Sequence, residues 1–321
     1  MSKEPVLVVT RYPEADMIVL AERYTLHVLA DAPDRAALLA ELAPQVRVLA
    51  TNGEAGADAA LIDALPKLEA IVSYGVGVDA IDLKHAASKG IRVTNTPDVL
   101  TEDVADLGLA LMLALAREIA ANDARVRAGE WGREHFALTS RMYGKRLGII
   151  GLGRVGRAVA RRAAAFDMQI AYHDRARFDD LPYAFHDSAA ALAANVDFLM
   201  VCAAADQIPR GAIGAEVFEA LGPNGFLINI ARGSILDEPV LVDYLSDGRL
   251  RGAALDVFWN EPAIDRRLLA LPNVVLSPHR ASATVETRAA MARLVRANLD
   301  AFSAGEPLVT EFTAHLPKAS A

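Results

Sequence analysis

Short apolar runs rich in β-branched residues alternate along this chain with longer, alanine-rich segments of helical composition. That alternation predicts βα units on parallel strands, an α/β fold, because strands covered on both faces read as unbroken apolar runs. In the first third, residues 6–9, 48–50, 70–72 and 91–94 read as strands, each followed by turn residues or a helical pattern, which suits one small doubly wound domain. Residues 101–127 then read as one long helix, opened by Thr101 with Glu102 and Asp103 in its first turn, where acidic groups complement the helix dipole. A helix of that length can bridge two domains. A second βα series begins with a strand at 146–150 and continues with strands at 169–172, 198–202, 225–230, 253–257 and 274–276, the strand count of a six-stranded dinucleotide-binding sheet. Helical pattern returns from Val285 to about Phe302, and a short polar tail follows. With no internal repeat and no Gly/Ser linker, any domain boundary must be crossed by structured segments.

Composition narrows the class. The 321 residues leave room for two domains, and 53% hydrophobic against 23% charged residues excludes a disordered chain. Lys and Arg number 33 against 41 Asp and Glu, a net charge of −8 that disfavours electrostatically driven nucleic-acid binding. The longest stretch of apolar residues and glycine, 107–116, is bounded by Asp106 and Arg117 and falls well short of the ~20 residues a bilayer span needs, so no membrane role is expected. No secretory signal is visible at the start. Cys202, the single cysteine, cannot form an internal disulfide and suits a reduced compartment, so a cytoplasmic protein is expected. The seven histidines and one cysteine show no ligand-like spacing, and no metal is expected.

The sharpest local signal is RLGIIGLGRVGRAVARRAAAF, where Gly151, Gly153 and Gly156 form G-x-G-x-x-G between a predicted strand and a predicted helix. Such glycines allow a tight turn, close backbone approach to a pyrophosphate, and close packing of helix on sheet. Asp174 follows the next strand, eighteen residues after Gly156, near the ~20-residue spacing of a carboxylate that binds the adenosine ribose hydroxyls and repels a 2′-phosphate. NAD(H) is therefore favoured. Arg175 and Arg177 follow at once, and guanidinium groups are good phosphate partners, so NADP(H) remains open.

A third constellation lies in the last third: Arg232 in NIARGSILDE, Glu261 in DVFWNEP and His279 in LSPHRASAT. All three stand at or just after the C-terminal ends of predicted strands, where open α/β sheets place their ligands. Reducing a 2-keto acid with NADH requires a cation to hold the carboxylate and polarise the keto oxygen, and an acid to protonate that oxygen. Arg232 and His279 are those two types, and a carboxylate beside the imidazole stabilises its protonated form, the task open to Glu261.

Together, GLGRVG, the downstream Asp174, NIARG, LDVFWNEP and PHRASAT resemble the D-isomer-specific 2-hydroxyacid dehydrogenases, and SYGVGVDAIDL and VTNTPDVLTEDVADLGLALMLALAR resemble that family's substrate loop and interdomain helix. Within the family the wording is most similar to glyoxylate/hydroxypyruvate reductases and related 2-ketogluconate reductases. The resemblance implies that Arg232, Glu261 and His279 form the catalytic set. It implies that Val76 and Gly77 hold the substrate carboxylate with Ser73 and Tyr74 nearby, and that Arg154 and Val155 lie under the pyrophosphate. Ile230 and Ala231 would line the cofactor cleft and Asp256 would meet the nicotinamide carboxamide; Arg175, as a phosphate partner beside Asp174, is counted with the cofactor-binding residues. It also implies a flavodoxin-like substrate domain of residues 1–97 plus 283–321, a Rossmann NAD(P)-binding domain of residues 98–282, and a homodimer built on the cofactor domains.

This chain departs from the family at CAAADQIPRG, where a Pro and a Thr are common, and at Arg280 and Ala281 after His279, where an apolar residue and a Gly are usual. Arg280 could bind an anionic group or lie as a surface charge. Other readings stay in view. A formate dehydrogenase of this fold would carry Gln where Glu261 stands; phosphoglycerate dehydrogenases commonly append a regulatory domain; and an NAD-sensing corepressor retains the same three residues but brings flanks not visible here.

Overall fold

The computed structural model describes residues 3–133, 135–205 and 208–313. The chain divides into two compact units: Met1–Leu100 with Val285–Ala321, and Thr101–Thr284.

In the first unit, β1 (Glu4–Val8), β2 (Tyr24–Val28), β3 (Val48–Asn52), β4 (Ala70–Tyr74) and β5 (Arg92–Thr94) form a parallel sheet in the order β2-β1-β3-β4-β5. This is the 2-1-3-4-5 order of flavodoxin-like sheets, with its switch point between β1 and β3. Alternate side chains sort to two faces. Val6, Val8, Val48, Ala50 and Val72 pack with Met291, Val295, Leu299 and Phe302 of α11 (Val285–Ala304). Leu7, Leu49, Ile71 and Val93 pack with Leu42, Ile62 and Leu65 on the other side. The helices there, among them α2 (Arg35–Leu42), α3 (Ala59–Asp63) and α4 (Leu83–Ser88), are each opened by an aspartate whose side chain accepts a backbone N–H of the first turn. On the α11 side, α1 (Glu14–Arg23) starts differently, from Pro13 with no side-chain cap.

β2 is absent from the sequence expectation. YTLHV has no apolar run because it is an edge strand: Tyr24 is buried, Thr25 is exposed, and the other three are half-buried. An edge strand is recruited by its backbone ladder to β1 more than by side-chain burial.

The second unit carries β6 (Arg146–Ile150), β7 (Gln169–His173), β8 (Ala184–Phe185), β9 (Phe198–Val201), β10 (Phe226–Asn229), β11 (Gly252–Leu255) and β12 (Val274–Leu276), all parallel, in the order β12-β11-β10-β9-β6-β7-β8. This is the 3-2-1-4-5-6 order of a dinucleotide-binding sheet extended by one strand. The expected six strands are seven among the described residues, because the two-residue β8 pairs with Ala171 and Tyr172 at the edge and is too short to leave a periodic signal.

The helix expected over 101–127 is two. α5 (Thr101–Ala116) ends where Glu118 takes a left-handed backbone conformation at φ +51°, and α6 (Ile119–Arg127) begins beyond it. The break is satisfied locally: Glu118 N–H bonds Leu115 at 3.2 Å in a tightened last turn, and Ser140 N–H caps the Ala116 carbonyl at 2.9 Å. α5 buries Leu109, Leu111, Met112 and Leu115, as a core helix should, whereas α6 has no buried residue. The remaining helices of this unit are α7 (Arg154–Ala164), α8 (Ala189–Ala193), α9 (Ala215–Leu221) and α10 (Glu238–Ser246). Among the described residues no helix is long and apolar enough to cross a membrane.

Candidate active site

The glycine turn sits at the switch point of the second sheet, between β6 and β9. Gly151 has φ +88°, and a Cβ there would stand 2.5 Å from Ala203 Cα, so only glycine admits the crossing of these two chain segments. A Cβ on Gly156 would lie 2.2 Å from the Gly151 carbonyl oxygen, which keeps α7 close against the turn. Gly153 behaves differently. It is the residue before α7, it offers no side-chain cap, and a Cβ placed on it would meet nothing within 4 Å. The first turn of α7, at Arg154 and Val155, is the helix N-terminus at which a dinucleotide pyrophosphate would bind.

Asp174 closes the same site from β7. Its Oδ2 accepts the N–H of Leu152 at 2.7 Å, inside the glycine turn, and its Oδ1 accepts the N–H of Arg175 at 2.7 Å. Each carboxylate oxygen keeps a lone pair for a ribose hydroxyl. Arg175 and Arg177 are exposed, with Arg177 3.4 Å from Asp179. Asp206 and Gln207, part of the divergent CAAADQIPRG run, lie outside the described residues.

The loop after β10 carries Ile230 and Ala231, both buried, and then half-buried Arg232. Asn229, fully buried, was not singled out by sequence reasoning. Its Nδ2 donates to the Arg232 carbonyl at 2.9 Å and its Oδ1 accepts the Ala231 N–H at 3.1 Å, so it shapes the turn that presents Arg232. A polar residue closing an apolar strand was the available signal. The guanidinium is held in turn by the Ala231 carbonyl at 2.8 Å.

Glu261 and His279 meet directly: Glu261 Oε2 lies 2.6 Å from His279 Nδ1, while Oε1 accepts the N–H of Phe258 at 2.7 Å. Burial by itself would raise the Glu261 pKa. The bond to His279, the Phe258 N–H, and the charges of His279 and Arg232 outweigh it and hold the carboxyl below its ordinary value of 4.5. Arg232, Glu261 and His279 thus form one electrostatic group, although 47 residues separate the first from the last. With Nδ1 engaged by a carboxylate, proton exchange between this ring and a substrate would run through Nε2.

His279 adopts φ +52°, a conformation uncommon outside glycine. Asp256 over-determines it. That carboxylate is fully buried; Oδ1 accepts from Ser277 Oγ and the Arg280 N–H, Oδ2 accepts the Ala281 N–H at 2.9 Å, and the Asp256 carbonyl takes the His279 N–H at 2.8 Å. Expected at a nicotinamide carboxamide, Asp256 here gives its oxygens to the loop that carries His279. The Arg280 side chain is exposed.

Ser73, Tyr74, Val76 and Gly77 belong to the first unit, at the end of β4. Ser73 is buried with a hydroxyl that has no partner among the described residues. Tyr74 turns into its own unit, its hydroxyl within 3.0 Å of the Arg288 carbonyl and 3.2 Å of Asp16; burial and the Asp16 charge push its pKa up to about 12. The turn itself is tied down by Asn95, which donates to the Val76 carbonyl at 2.9 Å, and by the Thr96 N–H on the Gly75 carbonyl at 2.9 Å. Among the described residues, the N–H groups of Val76 and Gly77 donate to nothing, the arrangement expected of a backbone cradle for a carboxylate.

Residues 109–281 match the model of the D-isomer specific 2-hydroxyacid dehydrogenase NAD binding domain. The chain is 50% identical over 291 residues to a hydroxyphenylpyruvate reductase of Plectranthus scutellarioides, covering 91% of this chain and 93% of that one. It is 47% identical over the same length and coverage to glyoxylate/hydroxypyruvate reductase A of Arabidopsis thaliana. Among solved structures, an NADPH-dependent glyoxylate/hydroxypyruvate reductase of Sinorhizobium meliloti, in complex with NADP and malonate, aligns with TM-score 0.91 at 40% identity, covering 97% of both chains. With a dinucleotide-type sheet, a glycine turn at its switch point and these matches over nine-tenths of its length, the chain belongs to the D-isomer-specific 2-hydroxyacid dehydrogenases, which are NAD(P)-dependent oxidoreductases.

Proposed function

We propose that this protein reduces a small 2-keto acid, glyoxylate or hydroxypyruvate by preference, to the D-2-hydroxy acid. The observation that carries the reading is the 2.6 Å contact between Glu261 and His279 with the charge of Arg232 alongside. Arg232 holds the substrate carboxylate and draws electron density onto the keto oxygen. Glu261 fixes the imidazole through Nδ1 and stabilises its protonated form, so that Nε2 delivers a proton to that oxygen; in the reverse direction neutral His279 accepts it. Reduced nicotinamide, when bound, supplies the hydride. In the other unit, the turn at Val76 and Gly77, with Ser73 and Tyr74 nearby, is the part of this reading that would bind a carboxylate through backbone N–H groups.

Gly151, Gly153, Arg154, Val155, Gly156 and Asp174 would hold the dinucleotide, with Arg175, Ile230 and Ala231 around it and Asp256 acting close to the nicotinamide side. NAD(H) is preferred in this reading because Asp174 offers acceptors to both ribose hydroxyls and repels a 2′-phosphate, while exposed Arg175 leaves NADP(H) usable. The Thr101–Thr284 unit is accordingly the cofactor domain and the other unit the substrate domain.

The test is loss of absorbance of NADH and of NADPH with glyoxylate, hydroxypyruvate, pyruvate, 2-ketogluconate and hydroxyphenylpyruvate. Fastest turnover with glyoxylate or hydroxypyruvate and NADH is expected. Preference for the aromatic acid, which the 50% identical relative's name brings into the comparison, would overturn the substrate assignment. Cofactor binding without turnover on any acid would favour a sensing module.

A cytoplasmic homodimer completes the reading. Ile119, Val126, Trp131, Leu138 and Tyr143 are all at least half exposed, along α6 and the segment after it. Apolar side chains gathered on one segment are a usual mark of a self-association surface. Light scattering should return twice the 34.3 kDa chain mass, and a monomer mass would remove this part of the proposal.

A further inference from the structure

Between the loop after β10 and the loop after β11 lies a buried glutamate that the chemistry above does not use. Glu238, the first residue of α10, is 6% exposed, and its Oε2 accepts the N–H of Trp259 at 2.8 Å. The Trp259 indole Nε1 donates to the Leu236 carbonyl at 2.6 Å, and the Arg210 guanidinium lies 4.2 Å from the ring centroid. Below them the two loops touch at backbone level: a Cβ on Gly233 would stand 2.0 Å from the Phe258 carbonyl carbon. The turn 258–261 is therefore gripped at two successive amides, Phe258 by Glu261 itself and Trp259 by Glu238.

We propose that Glu238 is a positioning residue for the acid/base pair: by holding the Trp259 amide it fixes the turn that presents Glu261 to His279, and it ties that turn to the loop carrying Arg232. This rests on the catalytic reading of those three residues. The geometry explains why a carboxyl group is tolerated there. The charged groups facing Glu238 are Arg210, Asp265 and Glu261; burial and the two carboxylates raise its pKa, against the Trp259 N–H and Arg210, which lower it. Protonated or not, the group keeps an acceptor oxygen for Trp259. Glutamine supplies the same acceptor, and alanine supplies none.

The experiment compares full-length Glu238→Ala and Glu238→Gln with wild type. It measures kcat and KM by NAD(P)H oxidation, and the His279 imidazole titration by NMR on cofactor-free protein, assigned by its absence in His279→Asn. Glu238→Ala should lower kcat roughly tenfold, less than the ~100-fold that a 1 Å misplacement of a reacting group costs. It should leave the cofactor KM unchanged and move the His279 midpoint to lower pH, because the carboxylate is no longer held against the ring. Glu238→Gln should restore both. A wild-type midpoint and kcat in the alanine variant, or a glutamine variant as impaired as alanine, overturns the proposal. Should the alanine variant fail to fold, Glu238→Leu keeps much of the buried side-chain volume without an acceptor for the Trp259 N–H; a lowered His279 midpoint there supports the clamp and an unchanged one overturns it. If wild type oxidises NAD(P)H with no 2-keto acid, the catalytic reading falls, and the His279 midpoint alone still decides the role of Glu238.

Discussion

His279→Ala is expected to lower kcat for keto-acid reduction by about 100- to 10,000-fold, the range that a positioned acid contributes. Cofactor affinity should stay close to wild type, because the glycine turn and Asp174 hang on β6 and β7, four and five places along the sheet from β12. The backbone adds a complication that the choice of variant resolves. At φ +52° alanine pays a steric cost of about 1 kcal/mol, whereas asparagine visits this region readily, so His279→Asn removes the ring while keeping the loop. Equal losses in both variants, at wild-type cofactor binding, would assign the effect to the imidazole. Retained turnover in either would remove His279 as the principal acid.

The same pair sets the pH dependence. Reduction consumes a proton from His279, so its rate should fall as pH rises through the imidazole midpoint, and oxidation of the hydroxy acid should show the opposite slope. Glu261 has its pKa depressed below 4.5, so it remains a carboxylate as pH falls to that value. The stability it contributes is fully present above 4.5 and is lost only as pH falls through the lowered value. An acid limb in kcat that begins near neutrality would contradict an ionised Glu261 as the partner of His279.

Arg232→Ala is expected to reduce kcat/KM by about 100- to 1,000-fold, comparable with the loss of a preorganised donor to a developing oxyanion. Both parameters should suffer, because the charge binds the substrate carboxylate in the ground state and the keto oxygen more strongly in the transition state. Arg232→Lys should recover only part of the loss, since an ammonium cannot offer the planar fork that engages a carboxylate at two points. The melting temperature provides the control: the turn around residue 232 is shaped by Asn229 through backbone groups that both substitutions leave in place. An unchanged KM for the keto acid would exclude Arg232 from the carboxylate site.

Much of the fold is legible because parallel sheets need strands apolar on both faces, and β1, β3, β4, β6, β9 and β10 meet that need with runs such as VLV, AIV and FLMV. β2 and β8 escape notice for the converse reason. Each lies at a sheet edge, where one ladder suffices and side-chain burial places little demand on composition. The break at Glu118 is equally silent, since nothing in AREIA forbids a helix. The turn forms because Ser140, more than twenty residues on, returns to cap Ala116.

Residue types and spacing by themselves determined the α/β class, the glycine turn with its downstream Asp174, and Arg232, Glu261 and His279 as three chemically apt groups at strand ends. Tertiary structure alone decided that Glu261 stands 2.6 Å from His279, that Asp256 turns inward to hold the His279 loop, and that Asn229 and Glu238 brace the neighbouring turns. The division has a physical cause. Strand pattern and glycine requirements are local, written within a few residues of where they act. A hydrogen bond between loops 18 or 21 residues apart depends on the order in which the sheet aligns its strands, and sequence spacing does not carry that order.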